Sequence, residues 1–347
     1  MFHLFRKALN ALLFISIVLC QSPLKYAKPK LSDYGFFIGN ISNHDINKGV
    51  LPYEVSAKLF SDYAIKSRFI VLPKGQKINY KSDGTFDFPI GSTLIKTFYY
   101  PSDFREPNNN IRLMETRLLI NTIEGWLGFP YVWNNEQTDA FLEIAGDRLE
   151  TSFINIQGEK KSFTYSVPNF NQCKGCHVNQ TQMKPIGTKA RLLNHDYEYA
   201  EGTMNQLKKW SALEMINNLP EISSISHTPN YDDPNDGTLE ERARAWIDIN
   251  CAHCHRLGAP GETSGLFLNI EETNKTRLGV YKPPVAAGRA TGNLKYTILP
   301  GNPEKSMMIQ RMLSKDPGIM MPELGRKLVH KEGIELVSEW IKHMEKE

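Results

Sequence analysis

Residues 238–255 read TLEERARAWIDINCAHCH. Thr238 and Glu241 make the T-x-x-E pattern of a capping box. Leu239, Ala243, Trp246 and Ile247 then recur at helical spacing on one face. The pattern predicts a helix that starts at Thr238 and runs into Cys251, where it meets C-x-x-C-H. Two thiols at that spacing, followed directly by an imidazole, suit one chemistry well. The S–H groups add across the two vinyl groups of a haem, and the imidazole reaches the iron from one face. A second copy stands upstream as Cys173-Lys174-Gly175-Cys176-His177. Two accidental copies in a chain of this composition have a probability on the order of one in a million.

The other readings of C-x-x-C do less well. A zinc site would need the two pairs close in sequence or folded together. The 74 residues between them exceed the usual ribbon spacing, and zinc does not require a His after each second Cys. A thioredoxin-like site would follow a strand in a βαβ unit, a setting that both motifs lack. The expected cofactors are two covalently bound haems c. Cys173, Cys176, Cys251 and Cys254 are the attachment residues, and His177 and His255 the iron ligands.

The chain has 347 residues, 23% of them charged and 10% aromatic, which describes a globular protein. Of its five cysteines, four lie in the two motifs and the fifth is Cys20. Met1–Lys7 is a short basic segment, and Ala8–Leu19 an apolar run of 12 residues. That length suits the core of an export signal and is short for a spanning helix. Val18 and Cys20 can serve as the −3 and −1 positions of a cleavage site. Cys20 can instead carry a lipid and tether the chain to a membrane, although Leu19 is large for that motif. Both readings put the protein outside the cytoplasm, in the periplasm or envelope. Without Arg6 and Lys7 the balance is 39 basic against 38 acidic residues. That near-neutrality gives no argument for nucleic acid.

Beyond residues 1–20 (signal) and 21–30 (leader), residues 31–165 read as β-rich. Aromatic and β-branched runs recur between turn signals at Arg68–Leu72, Thr85–Phe88, Thr93–Tyr100, Ile111–Ile120 and Trp126–Trp133, with Asn121–Gly125 as a hairpin loop. Residues 166–225 hold the first haem motif and a more helical tail over Thr203–Met215. Residues 226–237 are a Pro-, Asp- and Gly-containing linker. Residues 238–347 are expected to be a helical cytochrome c domain, with further helices from Asn302-Pro303 and over Lys331–Lys346. The fold class expected is α+β multidomain: a β-rich sandwich- or barrel-like domain followed by mainly α-helical cytochrome c-type haem domains.

Each iron needs a ligand opposite its imidazole. For the second haem that ligand is expected to be Met321 in Gly318-Ile319-Met320-Met321-Pro322, with Met320 as runner-up and His330 third. A thioether favours Fe(II) and raises the potential. For the first haem, Met183 lies only six residues past His177, about 20 Å of extended chain, too short to round the haem edge comfortably. His195, Met204, a ligand from the β-rich region and an open position all remain. Arg289 and Arg311 are candidates for haem propionates. His253, inside the second motif, is expected to face solvent. Glu115 and Arg117 alternate with apolar residues and read as a structural ion pair. The aromatics Trp126, Phe129, Tyr131 and Trp133 read as β core.

The stretches Leu51–Ala64, Phe88–Tyr100, Glu115–Ile120, Asn171–His177, Asp248–His255, Pro284–Gly292 and Asp316–Arg326 resemble a family of bacterial dihaem c-type cytochromes of unassigned role. Its members are often encoded beside a parallel β-helix repeat protein. The resemblance implies two haems c, export and a β-helix partner, and it supports Met321 as a ligand. It supplies no substrate. An electron carrier with a redox partner protein is the first functional expectation. A peroxidase-like dihaem enzyme with one open iron is the second, and an envelope binding protein with accessory haems the third.

Overall fold

Six antiparallel strands build the sheet on which everything else is arranged. They are described, with the rest of residues 23–285 and 287–345, by a computed structural model. The segment expected to direct export, and Cys20, lie outside the described residues. The strands are β1 (Val50–Pro52), β2 (Ile65–Val71), β4 (Thr93–Pro101), β5 (Ile111–Thr122), β6 (Gly125–Trp133) and β7 (Ala140–Leu142), in the spatial order β1-β2-β4-β5-β6-β7. The short β3 (Ile78–Asn79) pairs in parallel with residues Ile216–Asn217. Ile123 and Glu124 make the two-residue turn between β5 and β6, with Gly125 at a positive φ of 94° that suits glycine. The hairpin β8 (Asp147–Ile154) and β9 (Lys160–Val167) is a separate two-stranded sheet. It packs Phe153 and Tyr165 against Phe98, Tyr100 and Met114 of the main sheet.

Seven α-helices lie among the described residues: α1 (Phe170–His177), α2 (Ala190–Leu193), α3 (Gln206–Ala212), α4 (Leu239–Ile247), α5 (Lys275–Leu278), α6 (Met307–Leu313) and α7 (Lys331–His343). The longest, α7, has 13 residues. The Thr238–Glu241 capping box forms as the sequence requires, and α4 passes directly into the turn carrying Cys251. Asn302-Pro303 opens only a single 3₁₀ turn. Ser306 is extended there, so α6 starts at Met307.

The expected fold class is overturned in its second half. The chain is a β-rich antiparallel protein with a few short helices, and the region beyond the sheet does not form mainly helical haem domains. The physical reason is local. Helical periodicity holds over α4 and α7, but residues 256–303 are broken by repeated glycines and prolines. They satisfy their backbone through turns, 3₁₀ segments and isolated bridges. The helices also have no core of their own. One hydrophobic cluster joins Ile70 and Leu94 of the sheet, Leu207 and Trp210 of α3, and Trp246, Val337 and Trp340 of α4 and α7.

Candidate haem centres

The first C-x-x-C-H motif occupies α1. Asn169 Oδ1 accepts from the Gln172 amide at 2.8 Å, and Gln172 Oε1 accepts from the Asn169 amide at 2.9 Å, which fixes the helix start. After His177 the chain turns through β10 (Val178–Asn179) and β11 (Gln182–Met183). That hairpin brings the Lys184 carbonyl to 2.8 Å from His177 Nδ1. A carbonyl can only accept, so Nδ1 carries the proton and Nε2 keeps its lone pair. Burial holds the imidazole pKa down at about 4, so the ring is neutral at pH 7.

His255 reaches the same state by a different route. Its Nδ1 lies 3.1 Å from Ser264 Oγ, and that hydroxyl donates its own proton to the Gly261 carbonyl at 2.6 Å. Ser264 is therefore the acceptor, His255 is protonated on Nδ1, and its Nε2 has a free lone pair. Burial again lowers the pKa to about 4. A Cβ on Gly261 would sit 2.9 Å from His255 Nδ1, so the close approach requires glycine. A neutral imidazole with Nδ1–H held and Nε2 bare is the form an iron ligand needs.

Although 73 residues separate them, the two motifs meet. Cys254 Sγ lies 3.7 Å from the Gly175 carbonyl, which brings the second motif's thiol beside Cys176. The two thiols act on each other, drawing Cys176 down and pushing Cys254 up. Burial raises Cys173, and raises Cys251 to about 12. Only one thiol of each motif enters the contact. Among the described residues no group of three His, Cys, Asp or Glu side chains is placed to hold a single metal ion, so the four thiols do not converge as a zinc site would require.

Cys173, Cys176 and His177 form one wall of a cavity of about 360 Å³. This lies within the range of small-molecule and cofactor sites. Leu94, Phe98, Trp246, Ile249 and Ile334 supply apolar surface, and Met321 and His330 line the same space. The residues at this motif therefore fit haem: attachment thiols, a bare Nε2, an apolar wall and a thioether stand around one space. Met321, expected opposite His255, lines the cavity of His177. His255 is not among the described residues that line it. Met320 is buried beside it, 6% exposed.

Other expected site residues fall elsewhere. His330 accepts from Trp246 Nε1 at Nδ1 (2.9 Å), so its proton sits on Nε2 and it presents no lone pair there. It stacks on Phe60 at 4.3 Å between centroids. His195 Nδ1 donates to the Asp196 carbonyl at 2.9 Å, and its Nε2 accepts from Gln206 Nε2 at 2.9 Å. Met204 is exposed on the strand Gly202–Asn205, and Met183 packs by Gly128 and Cys173. Neither His195, Met204 nor Met183 lines the cavity.

Arg289 is committed to Asp316 at 2.8 and 2.9 Å, and Arg311 Nε donates to the Ile319 carbonyl at 2.8 Å. Glu115 and Arg117 do form an ion pair, at 2.5 and 2.8 Å. Trp126 and Phe129 pack in the hydrophobic clusters, as do Tyr131 and Trp133.

His253 is not solvent-facing. It is 8% exposed and lines the same cavity as Cys176, because the second motif folds against the first. Its Nδ1 is buried without a partner. Sequence reasoning also missed Arg326 and Asp62. Arg326 is 5% exposed and donates to the carbonyls of Met321, Arg311, Ser314 and Leu328 at 2.9–3.3 Å. Asp62 Oδ1 accepts from the amides of Lys327 and Leu328, both at 2.6 Å. Both residues stand in the short runs DYA and LGR, but nothing local told that the two runs would touch.

Comparison of the chain with protein-family models, with curated proteins and with solved structures found no match. Among the described residues no helix is long and apolar enough to cross a membrane.

Proposed function

We propose that the protein is an exported dihaem c-type cytochrome that transfers electrons in the cell envelope. The observation that carries this reading is the matched state of His177 and His255, each neutral, with Nδ1–H engaged and Nε2 bare at the end of a C-x-x-C-H motif. Haem iron, when bound, supplies one-electron exchange between Fe(III) and Fe(II). The chain's own residues do the rest. Cys173 with Cys176, and Cys251 with Cys254, tether. The Lys184 carbonyl and Ser264 hydroxyl orient the imidazoles. Met321 offers a thioether held by Arg326. The approach of Cys254 to the Gly175 carbonyl, next to Cys176, supports a short route between the two attachment points. The resemblance to dihaem cytochromes encoded beside β-helix proteins adds a proposed partner of that class.

The test is expression with export and haem maturation, followed by haem staining on a denaturing gel. Two haems per chain are expected, one after Cys173→Ala/Cys176→Ala, and none with both motifs removed. A colourless band from the intact chain would end the proposal. Both irons should be low-spin in the resting spectrum, and a high-spin signal would count against an electron carrier. Met321→Ala is expected to abolish the thioether-to-iron band of the oxidised protein while haem content stays at two. Loss of that band in Met320→Ala instead would move the assignment to Met320.

A further inference from the structure

Three cations stand abreast on the floor of the cavity. Arg68 on β2 stands directly opposite Lys96 on β4, and Lys96 directly opposite Arg117 on β5. Side chains opposite one another on neighbouring strands share a face, and like charges so placed destabilise a sheet. All three line the cavity that Cys173, Cys176 and His177 wall. Lys66, two residues before Arg68, adds a fourth cation to that face. The ring of Phe98, fully buried, lies beneath them. Arg117 is 4.3 Å, Lys96 5.0 Å and Lys66 5.9 Å from its centroid.

Two carboxylates answer these four cations. Glu54 pairs with Arg68, and Glu115 pairs with Arg117 while also accepting from the Tyr165 hydroxyl at 2.5 Å. Lys66 Nζ donates to the Leu59 carbonyl at 2.9 Å. Lys96 Nζ has no hydrogen bond and no ion pair among the described residues. Its ammonium, partly buried, holds only the face of Phe98. Burial and the neighbouring cations push its pKa well down. Three cations abreast with two carboxylate partners leave Lys96 unmatched, and a partly buried ammonium so placed is costly unless an anion joins it.

Resting on the dihaem reading above, we propose that the row Arg68–Lys96–Arg117 is a carboxylate site, occupied by the propionates of the haem tethered at Cys173 and Cys176. The row shares one cavity with the tether, since Arg68, Lys96 and Arg117 line the same space as Cys173, Cys176 and His177. The same chemistry would receive a free dicarboxylate, and the experiment separates the two.

The measurement is a redox titration of the full-length holoprotein, with the first haem's wave identified by its loss in Cys173→Ala/Cys176→Ala. In Lys96→Met the potential of that wave is expected to fall, because a propionate stripped of its cation stabilises the extra charge of Fe(III). The wave should also acquire a pH dependence across the mildly acid to neutral range that the parent protein lacks. Lys96→Arg should restore both, and Lys96→Gln should repeat the loss, a pattern that a packing role would not produce. An unchanged potential and pH profile in Lys96→Met, with both haems still attached, would overturn the proposal. So would a parent protein whose first wave shifts with added malonate at constant ionic strength, since that marks a free anion as the occupant. Absence of covalent haem from the parent protein would instead sink the dihaem reading itself.

Discussion

Arg326→Met is expected to unfold the loop that presents Met321 and to lower the melting temperature by roughly 10 °C, from a loss of about 3–5 kcal/mol. The reason is the number of groups that lean on one guanidinium. Its donors reach the carbonyls of Met321, Arg311, Ser314 and Leu328, in a place where it is 5% exposed. Water cannot replace all four bonds there, and a buried carbonyl without a donor costs about 1–3 kcal/mol. Methionine keeps the apolar stem and removes only the fork, so packing alone does not account for the loss.

Asp62→Asn is the control. Asp62 sits at a positive φ of 52°, which asparagine tolerates, and an amide oxygen can still accept from Lys327 and Leu328. The expected cost is about 1–2 kcal/mol. Differential scanning calorimetry of the three holoproteins, read beside the thioether-to-iron band, checks both. Equal melting temperatures for the parent and Arg326→Met would show that the loop does not depend on this residue.

Gly333→Ala is expected to destabilise the protein by about 2–4 kcal/mol, against the sign that helix propensity predicts. Gly333 lies in the first turn of α7, where alanine would gain up to about 1 kcal/mol on an open helix. Here a Cβ would overlap the Trp246 indole and lie 2.7 Å from His330 Nδ1. Trp246 is 3% exposed and donates to His330, so neither ring can step aside without breaking that bond. The helices α4 and α7 cross at this glycine, and both rings line the cavity. Chemical denaturation reads the effect directly. A Gly333→Ala protein as stable as the parent would mean that the two helices sit further apart than described.

Much of the site was legible because its chemistry is local. Five consecutive residues set the spacing of two thiols and an imidazole, whatever the rest of the chain does. The Thr238–Glu241 box likewise closes within one turn, and the β5–β6 hairpin within two residues. The helical content of the second half was misread because periodicity in α4 and α7 was extended across a region whose glycines and prolines favour turns. The solvent-facing reading of His253 failed for a related reason. Nothing near residue 253 reveals that residue 176 will lie against it.

By itself the order of amino acids determined the spacing of the thiols and imidazole in each motif, where α4 begins and most of the runs that become strands, since bond lengths and nearest neighbours decide those; Thr85–Phe88, expected as a strand, forms only isolated bridges. Tertiary structure alone decided that the two motifs touch, that Met321 lines the space of His177, and that Arg68, Lys96 and Arg117 stand abreast. Those facts depend on strand register and on core packing between segments up to 269 residues apart, as in Tyr63 and Glu332. No short-range pattern encodes such distances.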